Sequence, residues 1–119
     1  MTKLDVLTFI GQVYPEMEPE LVRDLCEVLL YHIEERIRQE VLHLDEKFDH
    51  QNLILATPHD DVYWTYALSM IHLVQKNMEA YREYRKLFAE AWENFCRQFF
   101  LQKESFRFAP WYYTGKEGV

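Results

Sequence analysis

The sequence predicts an all-α protein, a small helical bundle of about four helices with an aromatic-rich C-terminal tail. Three observations carry that reading. Chain breakers are scarce, with three glycines and four prolines in 119 residues. The stretches Glu20 to Thr57 and His59 to Ala109 hold neither residue, whereas strands need frequent turns built on Gly, Pro, Asn or Asp. Apolar residues also recur at three- and four-residue spacing, the period of a helix face. Finally, Phe, Trp and Tyr make up 16% of the chain, and five of these rings crowd into its last 15 residues.

The elements follow in order. Thr2 to Tyr14 carries apolar residues at Leu4, Val6, Leu7, Ile10, Val13 and Tyr14. Thr2 with Asp5 three positions later makes a capping-box-like start, and Pro15 ends this first helix. The second begins at Pro19, which suits a first helical position because its missing N–H costs nothing there. Glu18 and Glu20 favour the positive end of the helix dipole. Leu21, Leu25, Leu29 and Ile33 then repeat every four residues, and Leu30, Ile37, Val41 and Leu44 continue the stripe. Arg23, Asp24, Glu27, Glu34, Arg38 and Glu40 are assigned to the polar face, with Glu34 and Arg38 as an i,i+4 ion pair.

Asp45 to Pro58 breaks the pattern and reads as a loop whose Leu53, Ile54, Leu55 and Ala56 form a packed apolar clip. A third helix starts near Asp60. Its rows Val62, Tyr66, Met70, Leu73 and Tyr63, Ala67, Ile71, Val74 make it apolar around most of its circumference, hence central. Lys76-Asn77 is a tight connection. The fourth helix spans about Met78 to Leu101, with Tyr81, Tyr84, Phe88, Ala91, Phe95 and Phe99 on one stripe and Glu93 paired with Arg97. Residues 1–104 form the bundle domain. Residues 105–119 form the aromatic tail, either an arm or a cap on the bundle's end.

Composition narrows the function classes. The formal net charge is -7, with acids and bases mixed along the chain. Grip on a phosphate backbone needs a basic patch, so specific nucleic-acid binding is not expected. The N-terminus lacks the pattern of a signal peptide. No apolar run approaches the ~20 residues that cross a bilayer, so no membrane partner is expected. Two cysteines, Cys26 and Cys96, are too few for a disulfide framework and suit a reducing, cytosolic setting.

Candidate chemistry is thin. His59, Asp60 and Asp61 precede an apolar helix, where acids serve as caps and dipole partners. His72 lies about 20 Å from His59 along a straight helix, so one metal cannot take both. Glu40-Val41-Leu42-His43 has the Glu-x-x-His spacing of carboxylate-bridged metal bundles, but such sites need a second copy, and none is present. Cys26 and Cys96 each sit in an apolar stripe, as structural thiols do, and there is no glycine-rich phosphate loop. No nucleophile, base and orienting group meet the geometric requirements of an active site. We therefore expect no enzyme activity, no catalytic residues, no metal and no cofactor.

The aromatic excess is the less ordinary feature. Exposed aromatic patches mark interfaces. The candidate interface residues are Tyr63, Trp64, Tyr81 and Tyr84 in the helices, and Phe106, Phe108, Trp111, Tyr112 and Tyr113 in the tail. The more ordinary role of the helical ones is core and rim.

The block from Thr57 to Phe100 resembles head–tail connector proteins (head completion, or adaptor, proteins) of tailed phages and prophages of Gram-positive bacteria. The resemblance rests on Asp61 and Tyr63 at a helix start, Ile71 eight residues on, Glu79 with Tyr81, and Phe88, Trp92 and Phe95 in the next helix. In outline it extends over residues 1 to 100, where LVRDLCEVLLYHIEERIRQEV matches the group's acidic second helix. It departs at Arg82 and Glu83, where the group tends to carry asparagines, and in the tail. The resemblance implies a non-catalytic structural protein that forms a ring or other homo-oligomer at the portal, joins head to tail, and resides in the host cytoplasm during assembly and then in the virion. Portal and tail proteins are its implied partners, with DNA passing nearby unbound. The alternative class is a small cytosolic helical module that binds a protein or ligand. It would use a pocket between the third and fourth helices, lined by Tyr66, Met70 and Phe88.

Overall fold

A computed structural model of the chain describes residues 2–43 and 53–109. The helices are α1 (Lys3–Val13), α2 (Pro19–Arg36), α3 (Asp61–Val74) and α4 (Met78–Leu101). α2 continues into a π-helical turn, Ile37–Val41. Among the described residues there is no strand, so the all-α bundle is the fold.

Local chemistry sets the ends. The Asp5 N–H donates to Thr2 Oγ1 at 3.2 Å and the Thr2 N–H donates to Asp5 Oδ2 at 2.8 Å, completing the capping box of α1. Those bonds hold the Asp5 carboxyl below its usual range. α2 opens on Pro19. α3 opens differently from the expected cap: Asp60 makes no side-chain cap bond, and its carboxylate accepts instead from the Thr57 hydroxyl at 2.9 Å. α3 ends in a Schellman-type turn, in which the Asn77 N–H returns to the His72 carbonyl and the Lys76 N–H to the Leu73 carbonyl. Lys76 occupies the left-handed position, with φ 61°. Asn77 Oδ1 then caps α4 by accepting from the Ala80 N–H.

α3 and α4 form an antiparallel hairpin with the most extensive helix contact in the fold, and α1 and α2 pack against α3. α3 is central as expected. Val62, Tyr63, Ala67, Leu68 and Ile71 are completely buried, and Thr65, Ser69 and His72 are buried with them. Thr65 and Ser69 meet that burial by donating to backbone carbonyls one turn back. α4 contributes Phe88, Ala91 and Phe95 to the core. The clip Leu53-Ile54-Leu55 is fully buried.

Two expectations for α2 need correction. The buried stripe is Val22, Cys26, Leu29, Leu30, Ile33, Ile37 and Val41, while Leu21 is half exposed. A strict four-residue repeat drifts around a 3.6-residue helix, so the stripe that starts on Leu21 begins off the core face and reaches it only at Leu29 and Ile33. Glu34 and Arg38 are not on the solvent face either, being 0% and 3% exposed. Their surroundings explain this and form the site described next. That helix, expected to run to about Leu44, ends earlier, at Val41 with Leu42 as its C-cap, and the charged half of the following loop lies outside the described residues.

The start of the tail is a cap. Phe106 is buried, with its ring 5.8 Å from Phe95, 5.5 Å from Phe99 and 5.2 Å from His59. Phe108 pairs with Leu55 in an isolated antiparallel bridge, and the Ala109 N–H donates to the Ile54 carbonyl at 2.8 Å. This part of the tail therefore closes the open end of the α3–α4 hairpin over the clip.

Candidate functional site

The most organised polar cluster is internal. Position 34 lies on α2 where the helix faces both the clip and α3. Glu34 Oε1 accepts from the Tyr63 hydroxyl at 2.7 Å, and Oε2 accepts from the Ile54 N–H at 2.9 Å. The Tyr63 oxygen in turn accepts from the Leu55 N–H at 3.0 Å. One carboxylate and one phenol thus satisfy two clip N–H groups that no regular secondary structure reaches. Burial pushes the Glu34 carboxyl up to about 7, against the opposing pull of the Tyr63 and Ile54 hydrogen bonds and the charges of Arg38 and Lys3. Burial, and then the Glu34 charge, raise Tyr63 well above the usual phenol range. This cluster has no access to substrate. Its chemistry is the holding of α2, the clip and α3 in one arrangement.

A second cluster stands at the other end of α3. The Tyr14 hydroxyl and His72 Nδ1 share a 2.9 Å hydrogen bond. The Tyr84 ring stacks on His72 at 5.2 Å and the Tyr14 ring meets it edge-on at 4.9 Å. Burial lowers the His72 pKa, which favours the neutral imidazole between α1 and α4.

The remaining candidates distribute as follows. Tyr63 and Phe106 are buried and cannot form an exposed patch, because their rings are consumed by the core. Trp64 is half-buried with its ring 5.1 Å from Phe9. Tyr81, Tyr84 and Phe108 are half-buried. Trp111, Tyr112 and Tyr113 lie outside the described residues. Tyr66 and Phe88, expected to line a pocket, have ring centroids 5.3 Å apart and pack on each other. His59 is buried against Phe95 and Phe106, and burial lowers its pKa against the pull of Asp61 and Asp60. His43 and Glu40 are exposed, and Glu40 is paired with Arg36 at 3.1 Å. Among the described residues no three His, Cys, Asp or Glu side chains converge as metal ligands. Burial raises the Cys26 thiol to about 12 and also raises Cys96, so neither thiol is activated as a nucleophile.

The surface holds what periodicity missed. A cleft of about 270 Å³ opens between α1 and α2, with Leu4, Leu7, Tyr14, Met17 and Val22 in its walls. Leu4 is 69% exposed. At the far end of the molecule Phe100 and Leu101 project from the last turn of α4, 56% and 73% exposed. Exposed apolar groups at a helix end are invisible to a stripe analysis that assigns every periodic hydrophobe to the core.

Comparison with protein-family models finds no match, and comparisons with curated proteins and with solved structures find none either.

Proposed function

We propose that this chain is a non-catalytic assembly subunit, of the kind that docks at a phage portal and joins head to tail. The observation that carries the reading is the pairing of a rigid helical body with large exposed apolar side chains, Leu4, Phe100 and Leu101. Apolar groups left on the surface of a well-packed bundle suit protein contact. The resemblance of Thr57 to Phe100 to connector proteins gives that contact its setting. A net charge of -7 suits a subunit lining a DNA path, because like charge repels the phosphate backbone.

Native mass spectrometry of the purified chain mixed with its cognate portal ring tests the proposal. The expected result is a complex carrying several copies of the chain per ring. A folded chain that leaves the portal spectrum unchanged at tens of micromolar would sink it. The α1–α2 cleft favours a second reading, a binding module whose ligand sits there rather than between α3 and α4. A small molecule that copurifies, and is lost on filling the cleft, would move the conclusion to that class.

A further inference from the structure

We propose that the α1–α2 cleft binds a small amphipathic monoanion, a carboxylate whose hydrocarbon body lies in the cleft and whose charged end meets Arg23. The inference deepens the binding-module reading of this cleft and rests on it, adding the chemical class of the ligand.

The cleft is apolar where a hydrocarbon would lie. Leu4, Leu7, Met17 and Val22 stand in its walls, with Pro15 and Pro19 beside them. Its volume of about 270 Å³ falls just below the roughly 300–1,000 Å³ of sites for drug-sized ligands, so the occupant is small. Leu4 is 69% exposed, and a hydrocarbon laid against it removes that surface from water.

Gly11 shows that the space is kept open. It belongs to α1 and lines the cleft. Glycine weakens a helix relative to alanine. Two needs ordinarily offset that cost, a left-handed backbone or a close approach by a neighbour. Neither applies here. Among the described residues no glycine has a positive φ, and a Cβ placed on Gly11 meets nothing within 4 Å. What a side chain at this position would take away is room in the cleft.

The polar groups set the ligand's charge. Among the described residues the lining carries three polar side chains, Thr8, Tyr14 and Arg23. The Thr8 hydroxyl donates to the Leu4 carbonyl at 2.9 Å, and the Tyr14 hydroxyl is engaged with His72 Nδ1. Arg23 is uncommitted. Arg36 and Arg97 each pair with an acid four residues away, but Arg23 makes no such pair with Glu20 or Glu27. A guanidinium offers a planar fork of N–H donors that matches a carboxylate. An unpaired fork at the side of an apolar hollow suits a ligand with hydrocarbon at one end and a carboxylate at the other. The surroundings limit that ligand to a single charge. Glu16, Glu18 and Glu20 are exposed and alternate in sequence with the lining residues Pro15, Met17 and Pro19, so a second negative group is repelled.

Titration of the full chain with four eight-carbon probes tests this: octanoate, its neutral amide octanamide, octylamine, and the dicarboxylate suberate. Binding is read from amide proton–nitrogen correlation spectra. Octanoate should shift the Gly11 amide and its neighbours in α1 and the start of α2. Its dissociation constant should be about a few millimolar or lower, as for a ligand of about ten non-hydrogen atoms. The other three probes should bind about tenfold more weakly, as for loss of a charge-assisted hydrogen bond or gain of a repelled charge. Two variants, checked by thermal melts, separate the two ends of the ligand. Arg23→Gln should weaken octanoate about tenfold and leave octanamide unchanged. Gly11→Leu should weaken both. Octanamide, octylamine or suberate binding as tightly as octanoate overturns the inference and leaves the cleft a binding site of another specificity. Octanoate binding that Arg23→Gln does not change does the same. If no probe shifts the amides of the cleft, the inference falls together with the binding-module reading.

Discussion

The Tyr63 hydroxyl donates a 2.7 Å hydrogen bond to Glu34 Oε1 across 29 positions of sequence. The same Tyr63 oxygen accepts from the Leu55 N–H, so the phenol is both donor and acceptor in a buried chain of bonds. Tyr63→Phe removes both roles while keeping the ring. It leaves the Leu55 N–H and one carboxylate oxygen of Glu34 without these partners. Each such buried orphan costs about 1–3 kcal/mol, so urea unfolding should show a loss of about 3 kcal/mol. A loss below half a kcal/mol would mean that water replaces the hydroxyl, and that the cluster does not hold the clip.

Glu34 also predicts an unusual pH response. Its folded-state pKa, pushed up to about 7 from 4.5, lies above the unfolded value. Between those two values the folded chain keeps a proton that the unfolded chain has released. Stability therefore falls as pH rises through that window, by about 3 kcal/mol from this group alone. His59 and His72, both lowered by burial, act in the opposite sense as they lose their unfolded-state protons. The difference between the parent chain and Glu34→Gln isolates the carboxyl. From pH 5 to pH 8 the urea midpoint of the parent should fall relative to that of the variant. Equal pH dependence in the two chains would place the Glu34 pKa near that of an ordinary carboxylate.

The Glu34 cluster also shows where sequence reading stops. Glu34 and Arg38 stand four apart with opposite charges, the pattern of a solvent-exposed ion pair. Nothing within α2 distinguishes them from Glu93 and Arg97, which do form an exposed pair at 3.1 Å. Glu34 is satisfied by a phenol on α3 and the Ile54 N–H of the clip, both distant in sequence and so outside any local period. Features whose partners lie within four residues were legible: the Thr2–Asp5 capping box and the Pro19 start. The burial of Leu53, Ile54 and Leu55 was legible too, because three consecutive hydrophobes must lie against something. The α1–α2 cleft was not, because it depends on how two helices cross. Leu101 ends α4 as expected, but helical spacing does not show that the core has already ended beneath it, leaving its side chain 73% exposed.

Lys76 offers a test of backbone strain. It holds φ 61° at the end of α3, a left-handed conformation that a residue with a Cβ adopts at a cost of roughly 1–2 kcal/mol. Its side chain is exposed. Lys76→Gly keeps the Schellman-type turn and removes that strain, and the added freedom of glycine in the unfolded chain offsets part of the gain. The net expectation is a stabilisation of about 0.5–1 kcal/mol, read as a higher urea midpoint at unchanged slope. A lower midpoint would mean that the Lys76 side chain contributes more than its backbone costs.

Phe106 decides whether the tail is an appendage or part of the fold. Its ring touches Phe95, Phe99, Phe108 and His59, and it is only 6% exposed. Removing such a ring leaves a void that the neighbouring aromatics cannot fill. Phe106→Ala should therefore cost about 3–5 kcal/mol. A truncation before Ser105 removes the same ring, together with the Leu55–Phe108 bridge and the Ala109 bond to Ile54, and should destabilise the bundle at least as much. Loss of assembly on truncation then has two possible origins, a missing contact or a loosened hairpin end. Truncation after Ala109 separates them, because it keeps the cap and removes Pro110 onward. If that shorter chain melts like the parent while truncation before Ser105 melts far lower, the cap is structural. If both melt like the parent, Phe106 contributes little to stability and its burial has another purpose.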